Sequence, residues 1–309
     1  MARRRKGDAI SGWICLDKPH DLGSTQAVGR VRRAFNAQKA GHAGTLDPLA
    51  TGILPIALGE ATKTVPFLMD ADKAYRFTIA WGVETASFDR EGGVTARSEA
   101  RPTPDTVAAA LGAFIGEIDQ IPPDYSAVKV DGARAYDLAR EGVAMELKAR
   151  RVVIHDARVT QAPDADHTVI EMECGKGTYV RALVRDLAAA LGAHAHVSEL
   201  RRTRVGPFTE GKAIGLEILE NLCNTATPLE ALLPVETALD DIPELAVTTE
   251  DAFRLTQGRS IVLLPRQVET LRARLSASRI VSARHGARIV ALCEMRAGRL
   301  NPTRVFHLT

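Results

Sequence analysis

Three observations predict an α+β fold built as two units. Segments with period-two alternation are interspersed with segments of helical period, but without the regular strand–helix–strand rhythm of a doubly wound sheet. The charge is divided unevenly. From Arg254 to Thr309 there are 11 arginines, no lysines and two acids, a net of +9, whereas residues 1 to 253 carry a net of −7. Finally, four short apolar segments follow Glu250 (Ser260 to Leu264, Arg279 to Ser282, Ile289 to Cys293, Thr303 to Leu308), the signature of a small β-rich module. At 309 residues the chain is long for one core. The cleanest boundary is Asp240-Asp241-Ile242-Pro243-Glu244, which is acidic, contains a proline and just precedes the change of charge.

Taken in order, the chain opens Met-Ala-Arg-Arg-Arg-Lys with no apolar stretch behind it, so residues 1–10 read as a disordered basic arm, not a signal peptide. The first helix is predicted from Ser24 to Asn36. Ser24 is the candidate cap, Val28, Val31 and Phe35 form the apolar face, and Arg30, Arg32 and Arg33 lie opposite. Tyr75, Phe77, Ile79 and Trp81 alternate with Arg76, Thr78 and Ala80 along a half-buried strand. Thr103-Pro104-Asp105 starts a helix with Val107, Leu111 and Phe114 on one stripe. Val169 to Cys174 is a strand ending in Gly175-Lys176-Gly177. The helix after it places Leu183, Leu187 and Leu191 at spacing four and closes at Gly192.

Several chemistries are excluded. No apolar run reaches the roughly 18 residues of a membrane span. Cys15, Cys174, Cys223 and Cys293 are far apart and form no CxxC pair, which predicts inert thiols in a reducing cytosol. Gly175-Lys176-Gly177-Thr178 lacks the spacing of a phosphate loop, and no GxGxxG or GxSxG occurs. His194 and His196 lack the carboxylate arrangement of a zinc site. No metal or nucleotide cofactor is therefore expected. The basic terminal segment favours a polyanionic partner.

One segment carries chemistry: Gly41-His-Ala-Gly-Thr-Leu-Asp-Pro-Leu-Ala-Thr-Gly52. Its three glycines permit tight turns and close approach of a ligand. Pro48 biases Asp47 towards extended backbone, which would hold a carboxylate on a loop tip. The alternative is that Asp47 and Pro48 are merely the N-cap and first residue of a helix.

This segment resembles the signature of the TruB family of tRNA pseudouridine synthases. So do Leu16-Asp17-Lys18-Pro19, Lys73-Ala74-Tyr75-Arg76, and Gly82-x-x-Thr85-x-Ser87-x-Asp89-x-x-Gly92, which has Ser87 where threonine is usual. Gln120-Ile-Pro-Pro-Asp-Tyr-Ser-Ala-Val-Lys129, Gly177-Thr178-Tyr179-Val180-Arg181 and Leu200-Arg201-Arg202-Thr203 complete the set in family order. Leu255-Thr256-Gln257-Gly258 and the basic tail resemble a PUA module, a small RNA-binding β-fold.

The resemblance implies a catalytic domain over residues 11–245, with a central mixed, mainly antiparallel sheet flanked by helices. It also implies an RNA-contacting insertion at about 120–150 and a PUA-like domain over residues 246–309. The implied activity is conversion of uridine 55 in the T-stem-loop of tRNA to pseudouridine without a cofactor. The implied enzyme is a cytoplasmic monomer that needs no protein partner. By the same resemblance Asp47 is the essential aspartate, acting at the sugar C1′, at the base C6 or on the C2′ proton. Arg181 pairs with it, and Tyr75 stacks on the base. Tyr179 and Leu200 line the pocket with Gly44 and Thr45, His42 fills space near the extruded base, and Lys18 supports the site. Arg150, Arg151, Arg201, Arg202, Arg204 and the first-helix arginines are candidates for an RNA-facing strip. Two other readings stay open at this point: an RNA-binding or tRNA-folding protein whose role needs no chemistry, and an RNA-guided synthase of the dyskerin-like branch.

Overall fold

The computed structural model describes residues 7–126, 128–130, 133–134, 147–224, 228–275 and 279–308. In chain order the elements are β1 (Gly12–Lys18), α1 (Ser24–Ala34), β2 (Ala40–His42), β3 (Thr51–Leu58), α2 (Val65–Met69), β4 (Lys73–Trp81), β5 (Val83–Thr85), β6 (Val94–Arg97), α3 (Pro104–Leu111), β7 (Gly116–Gln120), β8 (Lys129–Val130) and β9 (Ala133–Arg134). Then come β10 (Arg150–Asp164), β11 (His167–Cys174), α4 (Val180–Ala190), β12 (Ala195–Val205), β13 (Phe208–Thr209), β14 (Ile214–Gly215) and α5 (Leu216–Asn224). The last part holds β15 (Glu244–Ala246), α6 (Thr249–Thr256), β16 (Ile261–Val262), α7 (Pro265–Arg272), β17 (Ile280–His285), β18 (Arg288–Arg296) and β19 (Arg299–Val305).

The main sheet runs β14-β1-β3-β12-β4-β11-β10-β7, with β2 added on β3 and β13 on β12. Only β1–β14 and β3–β12 are parallel, so the α+β expectation of a mixed, mainly antiparallel sheet holds. The β4 alternation is observed as predicted, with Phe77 and Ile79 buried against the helices. The predicted helices at Thr103 and after Gly177 are also present. Thr103 Oγ1 accepts the Thr106 N–H, and Gly192 ends the α4 turn at φ +62.

The first helix differs in detail. Gly23 caps α1, its N–H bonding Gln26 Oε1, and Ser24 is the first helical residue. The Ser24 hydroxyl is engaged elsewhere: it donates to Leu46 O and accepts the Leu46 N–H, both at 2.8 Å. A distant loop outcompetes the local cap. The helix ends before Asn36, whose φ of +46 cannot continue it.

Residues 1–6 of the expected arm, and 127, 131–132 and 135–146 of the expected insertion, lie outside the described residues. Asp8 is tied down by its N–H to Asn36 O at 2.7 Å.

A second, five-stranded sheet, β15-β17-β18-β19-β16, has its own core around Leu255, Val281, Cys293 and Leu300. It also packs against the main sheet. Ile289, Leu292 and Phe306 share one apolar cluster with Trp13, Ala43, Ile53 and Phe208. Among the described residues no helix is long and apolar enough to cross a membrane. Cys15, Cys174 and Cys293 are buried free thiols, and burial pushes each up to about 12, consistent with the inert role expected.

Candidate active site

The Gly41–Gly52 segment leaves β2, turns at Gly44 (φ +93), and enters β3 through Gly52 (φ +98). A Cβ on Gly52 would lie 2.2 Å from the backbone oxygen of Arg202, so only glycine lets β3 and β12 pair at this point. No helix begins at Pro48. Residues 48–49 form a turn closed by Ala50 N–H to Asp47 O at 3.1 Å. The helix-cap alternative for Asp47 therefore fails, and its carboxylate is free for other contacts.

The loop is gripped from several sides. Ser24 brackets Leu46, as described. The Lys18 ammonium, fully buried, donates to Pro48 O at 3.1 Å and to Pro19 O and Leu22 O at 2.8 Å. Burial lowers its pKa to about 8, a shift that the negative charge of Asp47 opposes. Arg202, 1% exposed, donates to Gly44 O and Thr45 O, both at 3.2 Å, and to Ile53 O at 2.8 Å.

Arg181 completes the grip. It sits in the first turn of α4, whose N-cap, Tyr179, is fixed by the buried amide of Gln120. That side chain accepts the Tyr179 N–H and donates to its carbonyl. The guanidinium is 5% exposed. Its Nη2 donates to Asp47 Oδ2 at 2.7 Å and Tyr125 O at 2.8 Å, and its Nη1 donates to Ser87 O at 3.1 Å and lies 3.3 Å from Asp89 Oδ2. Asp89 is buried and also accepts from Ser87 Oγ and the Glu91 N–H. One arginine thus joins two carboxylates, a buried one and one that is 35% exposed. The first anchors the guanidinium, and the second is presented to solvent in a fixed orientation.

Asp47 opens on a cavity of about 240 Å³ whose wall includes Gly44, Thr45, Tyr75, Tyr179, Arg181 and Leu200. Seven of the nine predicted site residues therefore converge there, counting Asp47 itself. Tyr75 on β4 and Leu200 on β12 project to the same face of neighbouring antiparallel strands. Burial holds both the Tyr75 and Tyr179 phenols above the ordinary tyrosine range. Lys18 and His42 do not line the cavity. Lys18 lies behind the loop, and His42 is half-buried on β2 opposite Ile56. Gly175-Lys176-Gly177-Thr178, rejected as a phosphate loop, contributes Gly175, Gly177 and Thr178 to the wall.

Sequence reasoning missed Asp89, Gln120, Lys73 and Ser126. It misplaced Arg202, which is a buried clamp and not part of an RNA-facing strip. Alternation on β12 carried that signal, since Arg202 shares the inward face with Leu200. Arg201, on the other face, is paired with Asp17 and Glu210. Arg204 pairs with Glu173, Arg151 with Glu117 and Asp119, and Arg30 with Glu220. Acidic neighbours thus already hold these four of the candidate arginines.

The class is that of the pseudouridylate synthases, whose family models match this chain, and the fold is shared with solved structures. The chain superposes with a TM-score of 0.72 on a chain solved as a Cbf5–Nop10–Gar1 complex, 25% identical, over 96% of this chain and 85% of that one. It superposes at 0.74 on an H/ACA ribonucleoprotein bound to a substrate RNA containing 2′-deoxyuridine, 22% identical, over 100% and 92%. More particularly, the chain belongs to the TruB family. The model of the TruB family pseudouridylate synthase N-terminal domain matches residues 32–180, and that of the tRNA pseudouridylate synthase B C-terminal domain matches residues 181–240. The chain is 76% identical to the tRNA pseudouridine synthase B of Caulobacter sp. (strain K31), over 100% of both chains. It is 54% identical to that of Bradyrhizobium diazoefficiens, over 100% of this chain and 89% of the relative. The boundary between the two matched models falls between Val180 and Arg181, so Asp47 and its partner come from different matched regions.

Proposed function

We propose that this enzyme isomerises uridine 55 in the T-stem-loop of tRNA to pseudouridine, as a cytoplasmic monomer without a protein partner or guide RNA, with Asp47 as the acting carboxylate. The observation that carries the reading is the Asp47–Arg181 pair at the mouth of a cavity walled by Tyr75, Tyr179 and Leu200, in a chain whose full-length relatives are named tRNA pseudouridine synthase B. In the reaction the N1–C1′ bond breaks, the uracil turns, and C5 bonds to C1′. C5 then gives up its proton and N1 carries one, so mass and electron count are unchanged.

The target must leave its stack to reach the cavity, at a cost of a few kcal/mol. Tyr75 and Leu200 offer a flat wall for the base. The Tyr75 phenol stays protonated at neutral pH and acts as stacking surface and hydrogen-bond donor. Arg181 keeps Asp47 oriented towards the sugar. Lys18 and Arg202 hold the loop from behind, and His42 supports the neighbouring strand. The C-terminal sheet is read as the PUA-like RNA-binding module. Nine of its 11 arginines from Arg254 onward have no acidic partner among the described residues, which suits a phosphate backbone and predicts affinity that falls with salt.

The test is turnover of an unmodified T-stem-loop RNA by the purified protein, with product detected by base-specific labelling. The expected outcome is product from the wild type, and none from Asp47→Asn although that variant still binds the RNA. Absence of product from the wild type, or full turnover by Asp47→Asn, overturns the reading. The same Asp47→Asn result separates an enzyme from a protein that only folds RNA.

A further inference from the structure

The segment from Ile121 to Ser126 reaches the cavity wall at Ser126. Pro122 and Pro123 are buried and restrict its backbone. Tyr125 O accepts a hydrogen bond from Arg181 Nη2 at 2.8 Å, and the Ser126 N–H donates to Asp124 O at 3.0 Å. The position of Ser126 is therefore set by the same guanidinium that holds Asp47.

Ser126 is 4% exposed and lines the cavity, yet its hydroxyl has no hydrogen-bond partner among the described residues. The Tyr179 phenol beside it is close enough to be influenced by the serine but makes no hydrogen bond of normal geometry with it. A buried hydroxyl whose nearest polar neighbour is badly placed recovers little of its desolvation penalty. Here the deficit faces a binding cavity, which makes it a vacant contact for a ligand.

We infer that the Ser126 hydroxyl hydrogen-bonds the polar edge of the extruded uracil. This rests on the function proposed above. The chemistry of the site argues for the base over the rest of the nucleotide. Asp47 is needed at the sugar end, where the bond breaks. Tyr75 and Leu200 cover a base face. What remains is the edge, which presents O2, N3–H and O4. Those groups lose their hydrogen bonds on leaving the helix, and a hydroxyl can both donate and accept. Ser126 is then a substrate contact formed only when the base is in the cavity.

The test compares wild type, Ser126→Ala and Asp47→Asn on the same unmodified T-stem-loop RNA, measuring RNA dissociation constant, single-turnover rate and thermal midpoint. Ser126→Ala is expected to slow the single-turnover step roughly 3- to 10-fold, the worth of one neutral hydrogen bond. RNA affinity should be unchanged, because the stem contacts are intact. The thermal midpoint should hold or rise by about 2–4 °C, because an unsatisfied buried hydroxyl has been removed. A hydroxyl that mattered only for the fold would lower the midpoint instead. An unchanged rate overturns the inference. Weaker RNA binding at an unchanged rate also overturns it, by moving the contact to the RNA backbone. In both cases product from the wild type and none from Asp47→Asn leaves the parent reading standing.

Discussion

Replacing Arg181 by methionine removes the charge that Asp89 and Asp47 share while keeping much of the side-chain volume. The two carboxylates respond differently. Asp47, about one-third exposed, recovers hydration, so losing its partner costs under about 1 kcal/mol. Asp89 is about 4% exposed and cannot. Stranding a buried charge costs about 3–5 kcal/mol. The Ser87 hydroxyl and Glu91 N–H still hold Asp89, which places the loss near the lower end, at about 3–4 kcal/mol. For a chain of this size that corresponds to a fall of roughly 6–15 °C in thermal midpoint. Adding Asp89→Asn removes the stranded charge and should restore about 2–3 kcal/mol, while turnover stays lost because Asp47 is still unheld. Urea unfolding at pH 7, with T-stem-loop turnover alongside, reads all of this. If Arg181→Met unfolds within about 1 kcal/mol of wild type at pH 7, or if Asp89→Asn restores nothing, then Arg181 does not neutralise Asp89 and the account of the pair is wrong.

Two further outcomes follow from the loop. Gly52→Ala puts a methyl against the Arg202 carbonyl at a φ of +98. The strained backbone alone costs roughly 1–3 kcal/mol, and turnover should fall on the order of 100-fold if Asp47 shifts by about 1 Å; an unchanged urea midpoint and rate would refute the close-approach argument. Lys18 gives a pH signature. Its folded pKa, lowered to about 8 from 10.5, means the native state sheds this proton first, so its contribution to stability rises with pH between about 8 and 10.5. The neutral amine has only two N–H groups for the carbonyls of Pro19, Leu22 and Pro48, so turnover should decline above about pH 8 while stability does not. Lys73, lowered to the same region, shares in this decline. Lys18→Met should be slower but flatter across that range. A high-pH limb identical to wild type would exclude Lys18 as its source.

The strands and helices that read well from sequence are those whose pattern is local. Tyr75 to Trp81 alternates because one face packs on helices, and Thr103-Pro104 caps its own helix. Ser24 misled because its hydroxyl serves Leu46, 22 residues away. The status of Asp47 was undecidable locally: whether it caps a helix depends on Lys18, Arg181 and Arg202, none of which lies near it in sequence. Arg202 was misread for a related reason. An arginine is ordinarily a surface residue, and only the strand face it shares with Leu200 shows otherwise. Asp89 and Gln120 were hidden because their partners, Arg181 and Tyr179, are distant. The resemblance to a family located the site, but the contacts that shape it come from tertiary structure.

The grip on the Gly41–Gly52 loop has a consequence for synthesis. Its clamps are contributed by residues 18, 24, 181 and 202, so the first half of the chain contains Asp47 but not the two arginines that hold it and its loop. In a growing polypeptide the loop lacks its full set of clamps until Arg202 has emerged and β12 has closed between β3 and β4. The orientation of Asp47 is thereby tied to closure of the sheet centre, a step that precedes the addition of β13 and β14.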